Sequence, residues 1–194
     1  MRELQIRTGL LNSLHHRYGA DPATLIRQEL GLCAGARRVD VAVISGELNG
    51  FEIKSDQDTL ERLAGQANAY GMVFDRVTLV TTSRYLDQAA RIVPDWWGLV
   101  RAEPSYGEST DGHVALIPVR PATENTGHDA FALAQLLWRD EALTALQSRG
   151  LHHGLARSRR WILWRRLAEN VPLDELQHLV RDRLKARPGW PGGQ

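Results

Sequence analysis

The sequence predicts an α/β protein: a central mixed β-sheet flanked by helices, followed by an all-α C-terminal extension. Three observations predict it. Short β-branched and apolar runs alternate with helical patterns through residues 1–127, and such alternation builds a sheet with helices on its faces. Strand signals stop after Pro118, Pro121 and the polar stretch Thr123–Gly127, which makes this the best boundary. From Asp129 onward only helical periodicity remains, and that half is the basic one: residues 131–194 carry 11 Lys+Arg against 6 Asp+Glu, whereas residues 1–130 carry 13 against 17.

Taken in order, Arg2–Arg17 reads as a helix with Leu4, Leu10, Leu11 and Leu14 on its apolar side. Asp21 followed by Pro22 has the chemistry of an N-cap and first helical residue, predicting a second helix to about Leu30 that ends at Gly31 and carries Glu29 in its last turn. Arg38–Ser45 is a buried strand, and Gly46-Glu47-Leu48-Asn49-Gly50 supplies the turn into a second strand, Phe51–Ser55. Asp58 with Glu61 three residues on looks like the start of a helix running to Tyr70 or Met72. Arg76–Thr82, Gly98–Ala102 and His113–Val119 complete the strands, with a short helix at Leu86–Ile92. The predicted order is α-α-β-β-α-β-α-β-β. Helices at about Ala130–Trp138, Glu141–Arg149, Ser158–Glu169 and Leu173–Arg187 form the extension, 128–188, and residues 189–194 read as a flexible tail.

With 194 residues and 43% hydrophobic content the chain can bury a real core. It contains no apolar run of about 18 residues and no signal-peptide core, so it is expected to be cytoplasmic, with no membrane partner. One cysteine, Cys33, excludes an intramolecular disulfide and a cysteine-based zinc site.

The chain writes its positive charge almost wholly as arginine, 22 of them, and has two lysines. One of these, Lys54, sits in Phe51-Glu52-Ile53-Lys54-Ser55. On a strand, residues two apart share a face, so Glu52 and Lys54 project together while Phe51 and Ile53 enter the other layer. An antiparallel partner strand would bring Asp40 to the same patch. Two carboxylates and an amine are the equipment for holding a divalent cation and activating water against a phosphodiester.

Asp40 followed by Glu52-Ile53-Lys54 resembles the PD-(D/E)XK nuclease superfamily, which implies that the central mixed sheet is restriction-endonuclease-like. Glu29-Leu30-Gly31-Leu32, Arg38-Val39-Asp40-Val41-Ala42-Val43-Ile44, Phe51-Glu52-Ile53-Lys54-Ser55-Asp56 and Pro94-Asp95-Trp96-Trp97-Gly98 look like a small, poorly characterised bacterial family within it. No proline precedes Asp40, where the superfamily name expects one. The resemblance implies that Asp40 and Glu52 hold Mg²⁺, with Mn²⁺ as a substitute, helped by the carbonyl of Ile53 and by Glu29. Lys54 would assist the attacking water, a proton-handling task for which arginine is unsuited. Gln66 and Tyr70, four apart on one helical face, resemble the Gln-x-x-x-Tyr element of RecB-like nucleases, where such residues line the site. Trp96-Trp97 is expected to pack at least one indole beneath the sheet.

In the extension, Glu141–Leu151 followed by Ser158–Ala168 resembles a SAP-type DNA-binding helix-loop-helix. Trp161 and Trp164 fit a buried stripe, and Arg159, Arg160, Arg165 and Arg166 are the expected phosphate contacts. The functional expectation is a Mg²⁺-dependent DNA nuclease serving repair, recombination, restriction or defence, acting as a homodimer or with a partner protein. The alternatives are a non-catalytic or partner-dependent DNA-binding or adaptor protein of the same fold, and a structural protein with an ordinary ion-pair network.

Overall fold

The computed structural model describes residues 1–105 and 114–187; the expected strand start at His113 and the tail 189–194 lie outside them. Helix α1 (Glu3–Tyr18) precedes strands β1 (Leu25–Leu32), β2 (Arg37–Ile44) and β3 (Leu48–Lys54), with a 3-10 turn, Cys33–Gly35, between β1 and β2. Helix α2 (Leu63–Gly71), β4 (Arg76–Thr81), α3 (Ser83–Ala90), β5 (Gly98–Pro104) and β6 (Val114–Arg120) follow. Helices α4 (Ala130–Ala134), α5 (Arg139–Gln147), α6 (Arg160–Asn170) and α7 (Leu173–Ala186) complete the chain.

The six strands lie in sequence order. β1–β2, β2–β3 and β5–β6 pair antiparallel; β3–β4 and β4–β5 pair parallel, their crossovers made by α2 and α3. The sheet is therefore mixed, as expected. One face packs on Ile6, Leu10 and Leu14 of α1 through Val41, Val43, Ile53, Val80 and Ala102. The other carries a larger core in which Ile44, Leu48 and Leu79 meet Leu63 and Tyr70 of α2 and the C-terminal helices.

The second predicted helix does not form. Asp21 caps a turn instead, accepting from the Ala23 N–H at 2.9 Å and the Thr24 hydroxyl at 2.6 Å, and residues from Leu25 join the sheet. A local capping signal yields here to a ladder with β2 that runs from Leu25↔Ile44 to Leu32↔Arg37. At the rung between Gln28↔Val41 and Leu30↔Val39, Glu29 takes φ 57°, and the strand changes face there: Ile26 packs toward α1, Leu30 and Leu32 toward the other core. Glu29 thus reaches the site from a kinked edge strand, not from a helix. The predicted capping box at Asp58 is also corrected. Asp58 accepts from the Ser55 N–H (2.8 Å) and hydroxyl (2.6 Å), closing the turn after β3, and α2 begins at Leu63.

The C-terminal helices share the main core. Leu133, Leu137, Leu146, Leu163, Trp164, Leu167, Leu176, Val180 and Leu184 belong to the same buried cluster as Leu30, Leu32 and Val39. Asp75, just before β4, is a second tie: it accepts from the Leu48 N–H (2.6 Å), lies 3.1 Å from His128 Nε2 and 3.5 Å from Arg181 Nη1 of α7. Gly98 opens β5 where a Cβ would sit 2.9 Å from the Ala122 backbone nitrogen, which explains the glycine after Trp96-Trp97.

Candidate active site

Asp40 ends the part of β2 that pairs with β3, whose ladder runs from Ile44↔Leu48 to Val41↔Phe51. One step further along the same register Asp40 comes opposite Glu52. The strands no longer exchange backbone bonds there, and the Asp40 carboxylate takes over: its Oδ2 accepts from the Ile53 N–H at 2.7 Å. Glu52 and Lys54 share the other face of β3, as two-residue spacing requires, and Lys54 Nζ donates to Glu52 Oε1 at 2.6 Å. Both are nearly buried, 2% and 5% exposed.

Helix α2 supplies the wall above them. Gln66 Nε2 donates to Glu52 Oε1, and the Tyr70 hydroxyl donates to Glu52 Oε2 at 2.6 Å while lying 2.7 Å from the Arg38 carbonyl oxygen. Burial, and then the neighbouring Glu52 carboxylate, push the Tyr70 phenol far up, so it stays protonated and donates to Glu52, while its oxygen accepts from Gln66 Nε2 at 3.4 Å. Tyr70 is in turn fixed by stacking on Trp97, with centroids 5.8 Å apart and planes within 4°, and by an edge contact with Phe74. Trp97 is fully buried, as expected of one of the two indoles.

Sequence reasoning missed the residue at the cavity's centre, Arg7 of α1. Its Nη2 lies 2.6 Å from Glu3 Oε1, 3.0 Å from Glu29 Oε1 and 2.9 Å from Asp40 Oδ1, and its Nη1 donates to the Asp40 carbonyl at 3.1 Å. The signal available in the sequence was the Glu3/Arg7 spacing of four on a helix; its meeting with Glu29 and Asp40 is tertiary. Arg38 takes the second oxygen of Glu29 at 3.3 Å.

A polar cavity of about 460 Å³ is lined by Asp40, Glu52, Ile53, Lys54, Gln66 and Glu29, together with Glu3, Arg7, Arg37, Arg38, Asp58 and Arg62. Tyr70 stands behind it, holding Glu52. Burial and then the adjacent Glu52 charge push the Asp40 carboxyl up to about 7, against the Ile53 N–H, Arg7 and Lys54, which pull it down. The deep end of the cavity thus sets two adjacent carboxylates, Asp40 and Glu52, against two cations, Arg7 and Lys54, where burial disfavours the charged form of Asp40.

This bears on a divalent cation. Asp40 and Glu52 are hard oxygen donors set side by side away from bulk water, and Gln66 Oε1 is a buried acceptor with no donor among the described residues, a suitable partner for a hydrating water. These residues fit Mg²⁺. Glu29 in its observed position gives its oxygens to Arg7 and Arg38, so it acts on the site through Arg7. Among the described residues no group of three or more His, Cys, Asp or Glu side chains is arranged to hold a metal, so the two carboxylates would need backbone and water oxygens to complete a shell.

Arg159, Arg160, Arg165 and Arg166 are all exposed at the start and along one side of α6. Arg160 lies over the Trp164 ring at 5.1 Å and Arg165 over the Trp161 ring at 5.2 Å. Trp164 is buried and donates to the Leu137 carbonyl at 3.0 Å; Trp161 is 45% exposed, which corrects the expectation of a buried pair. At a spacing of three, one indole enters the core and the other stays at its rim. Arg160 lines a second cleft, of about 380 Å³, that shares Gly35 as a wall with the polar cavity.

The family described as bacteriophage P4 protein cII matches residues 1–189. The chain belongs to this family. Protein cII of Enterobacteria phage P4 is 33% identical over 100 residues, which are 52% of this chain and 38% of that protein. The matching region thus spans well under half the length of that cII relative. A protein of unknown function from Silicibacter pomeroyi is 18% identical, with a TM-score of 0.46, over 82% of this chain and 98% of its own. No helix among the described residues of this cII family member is long and apolar enough to cross a membrane.

Proposed function

We propose that this cII family member is a Mg²⁺-dependent deoxyribonuclease of PD-(D/E)XK type, with Mn²⁺ as a substitute and the cytoplasm as its place of work. One observation carries the reading: Asp40 and the Glu52–Lys54 pair, from adjacent antiparallel strands, line one polar cavity with Gln66, and Tyr70 holds Glu52 from behind. Asp40 and Glu52 would hold the cation, with the Ile53 carbonyl. When bound it would supply charge neutralisation at the phosphate and a more acidic water. Lys54 keeps its ammonium against Glu52 at the cavity floor, placed to orient the attacking water and offset charge on the phosphorane-like transition state. Gln66 and Tyr70 fix the Glu52 rotamer, so that little reorganisation accompanies the reaction. The exposed arginines of α6 would grip the backbone of the DNA without reading its sequence.

A second reading, DNA binding without turnover or turnover only with a partner, is favoured by a specific feature. Each oxygen of Asp40 and Glu52 already accepts a hydrogen bond within the protein, from Arg7, Ile53, Lys54, Gln66 or Tyr70. A panel of single-stranded, duplex, flapped and junction DNA with Mg²⁺ or Mn²⁺ separates the two. The nuclease reading expects cleavage by the wild type and at least a 10²-fold loss in Asp40→Asn and Lys54→Ala. Salt-sensitive DNA binding with no cutting on any substrate would leave the binding protein.

A further inference from the structure

Four arginines line the polar cavity, and they fall into two pairs. Arg7 and Arg38 are engaged with carboxylates. Arg37 and Arg62 are exposed at its mouth, and among the described residues neither is in an ion pair. They come from different elements: Arg37 is the first residue of β2, paired with Leu32, and Arg62 is the N-cap of α2. Both line the same cavity. The Arg37 guanidinium lies against the first turn of α2: a Cβ built on Gly65, three residues after Arg62, would sit 3.6 Å from Arg37 Nη2, an ordinary van der Waals contact. No side chain caps that turn, so the positive end of the α2 dipole adds to the two guanidinium charges.

Two exposed guanidinium groups that no carboxylate engages among the described residues leave their N–H donors open to an anion at the cavity rim. Arginines with no structural partner at the rim of a polar cavity suit a phosphate that does not react, because a fork of N–H donors grips it and the deep carboxylates repel it from going further. We propose that Arg37, Arg62 and the first turn of α2 form a phosphate subsite that holds the backbone phosphate next to the scissile one, on the same nucleic-acid strand. The inference rests on the nuclease reading for what lies at the cavity floor, but the binding it describes does not require cutting. Because both contacts go to the backbone, the subsite is blind to sequence. It sets where the strand enters the cavity, and the neighbouring cleft lined by Arg160, which shares Gly35, continues the path.

The test is the salt dependence of binding by the full chain in EDTA, where no metal-dependent cutting occurs. Anisotropy of fluorescent single-stranded and duplex oligonucleotides is followed for the wild type, Arg37→Gln, Arg62→Gln, the double variant, and Arg91→Gln, a control outside the cavity. Each single change is expected to make the plot of log K against log salt shallower by about 1, and the double change by about 2, uniformly across sequences. Arg91→Gln should keep the wild-type slope, and thermal melts should coincide because both mouth residues are exposed. A wild-type slope in the double variant overturns the subsite even if the protein cuts DNA; so does an equal loss in Arg91→Gln, or no wild-type binding. A shallower slope confined to the mouth variants, with no cleavage by any protein in Mg²⁺, upholds the subsite and removes the nuclease reading.

Discussion

Two aspartates in this chain are shifted in opposite directions, and the difference shows which of them serves stability. Burial pushes Asp75 up, but the His128 and Leu48 hydrogen bonds and the Arg181 charge outweigh it, and its carboxyl sits below the ordinary 3.8. A depressed folded value means the native state binds fewer protons, so the stabilisation is present above the unfolded value and is lost as pH falls through the folded one. Asp40 is the reverse. Its carboxyl rises to about 7, so between its ordinary 3.8 and about 7 the native state holds more protons than the unfolded one, and ionising it costs stability as pH rises. Asp75→Asn should therefore destabilise by about 3 kcal/mol at pH 7, since it strands Arg181 beside a neutral group, and by progressively less as the pH falls below the ordinary 3.8. Asp40→Asn should flatten the decline in stability between pH 3.8 and about 7. Urea titrations at those pH values check both. Lys54 differs from Asp40 in another way: its removal leaves the nearly buried Glu52 carboxylate without its ion-pair partner, so Lys54→Ala and Lys54→Met are both expected to lower the melt as well as abolish cutting, Met by less because it keeps the packing.

Among the elements, β1 shows how tertiary pairing overrides a local signal. Asp21-Pro22 has helix-start chemistry, yet the following residues take a strand because Ile44 to Arg37 of β2 offer a ladder interrupted only at Glu29. The strand survives a residue in the left-handed region at Glu29, φ 57°, which costs a non-glycine residue about 1 kcal/mol. The kink sends Ile26 to one face and Leu30 and Leu32 to the other, and it aims the Glu29 carboxylate at Arg7. Glu29→Gly is expected to be near neutral in urea unfolding, with strain relief offsetting the loss of a half-exposed ion pair. Glu29→Val, β-branched at positive φ, should cost 1 kcal/mol or more than glycine at the same site, on the order of the left-handed penalty. Equal stabilities for the two variants would mean that the strand does not hold this conformation. β3, by contrast, was legible: alternation alone placed Glu52 and Lys54 on one face and Phe51 and Ile53 on the other.

At the scale of the whole molecule, the boundary near residue 128 marks a change of architecture within one continuous core. Leu133, Leu163, Trp164 and Leu176 pack in the same cluster as Leu30, Val39 and Tyr70, and Asp75 joins the sheet to α7 through Arg181. A fragment ending at residue 127 would expose that face of the sheet. It is expected to lose the cooperative melt of the full chain and to bind a hydrophobic dye, which circular dichroism and ANS fluorescence would show. The sequence by itself determined the fold class, the adjacency of Asp40 with Glu52 and Lys54, and the helical face shared by Gln66 and Tyr70, because each follows from a short-range period of two or four residues. Only the tertiary structure decided that Arg7 stands among three carboxylates, that Glu29 arrives on a bent edge strand, and that Arg37 and Arg62 line one cavity. Those meetings join residues far apart in the chain, and their energies come from sheet pairing and burial, which no local pattern encodes.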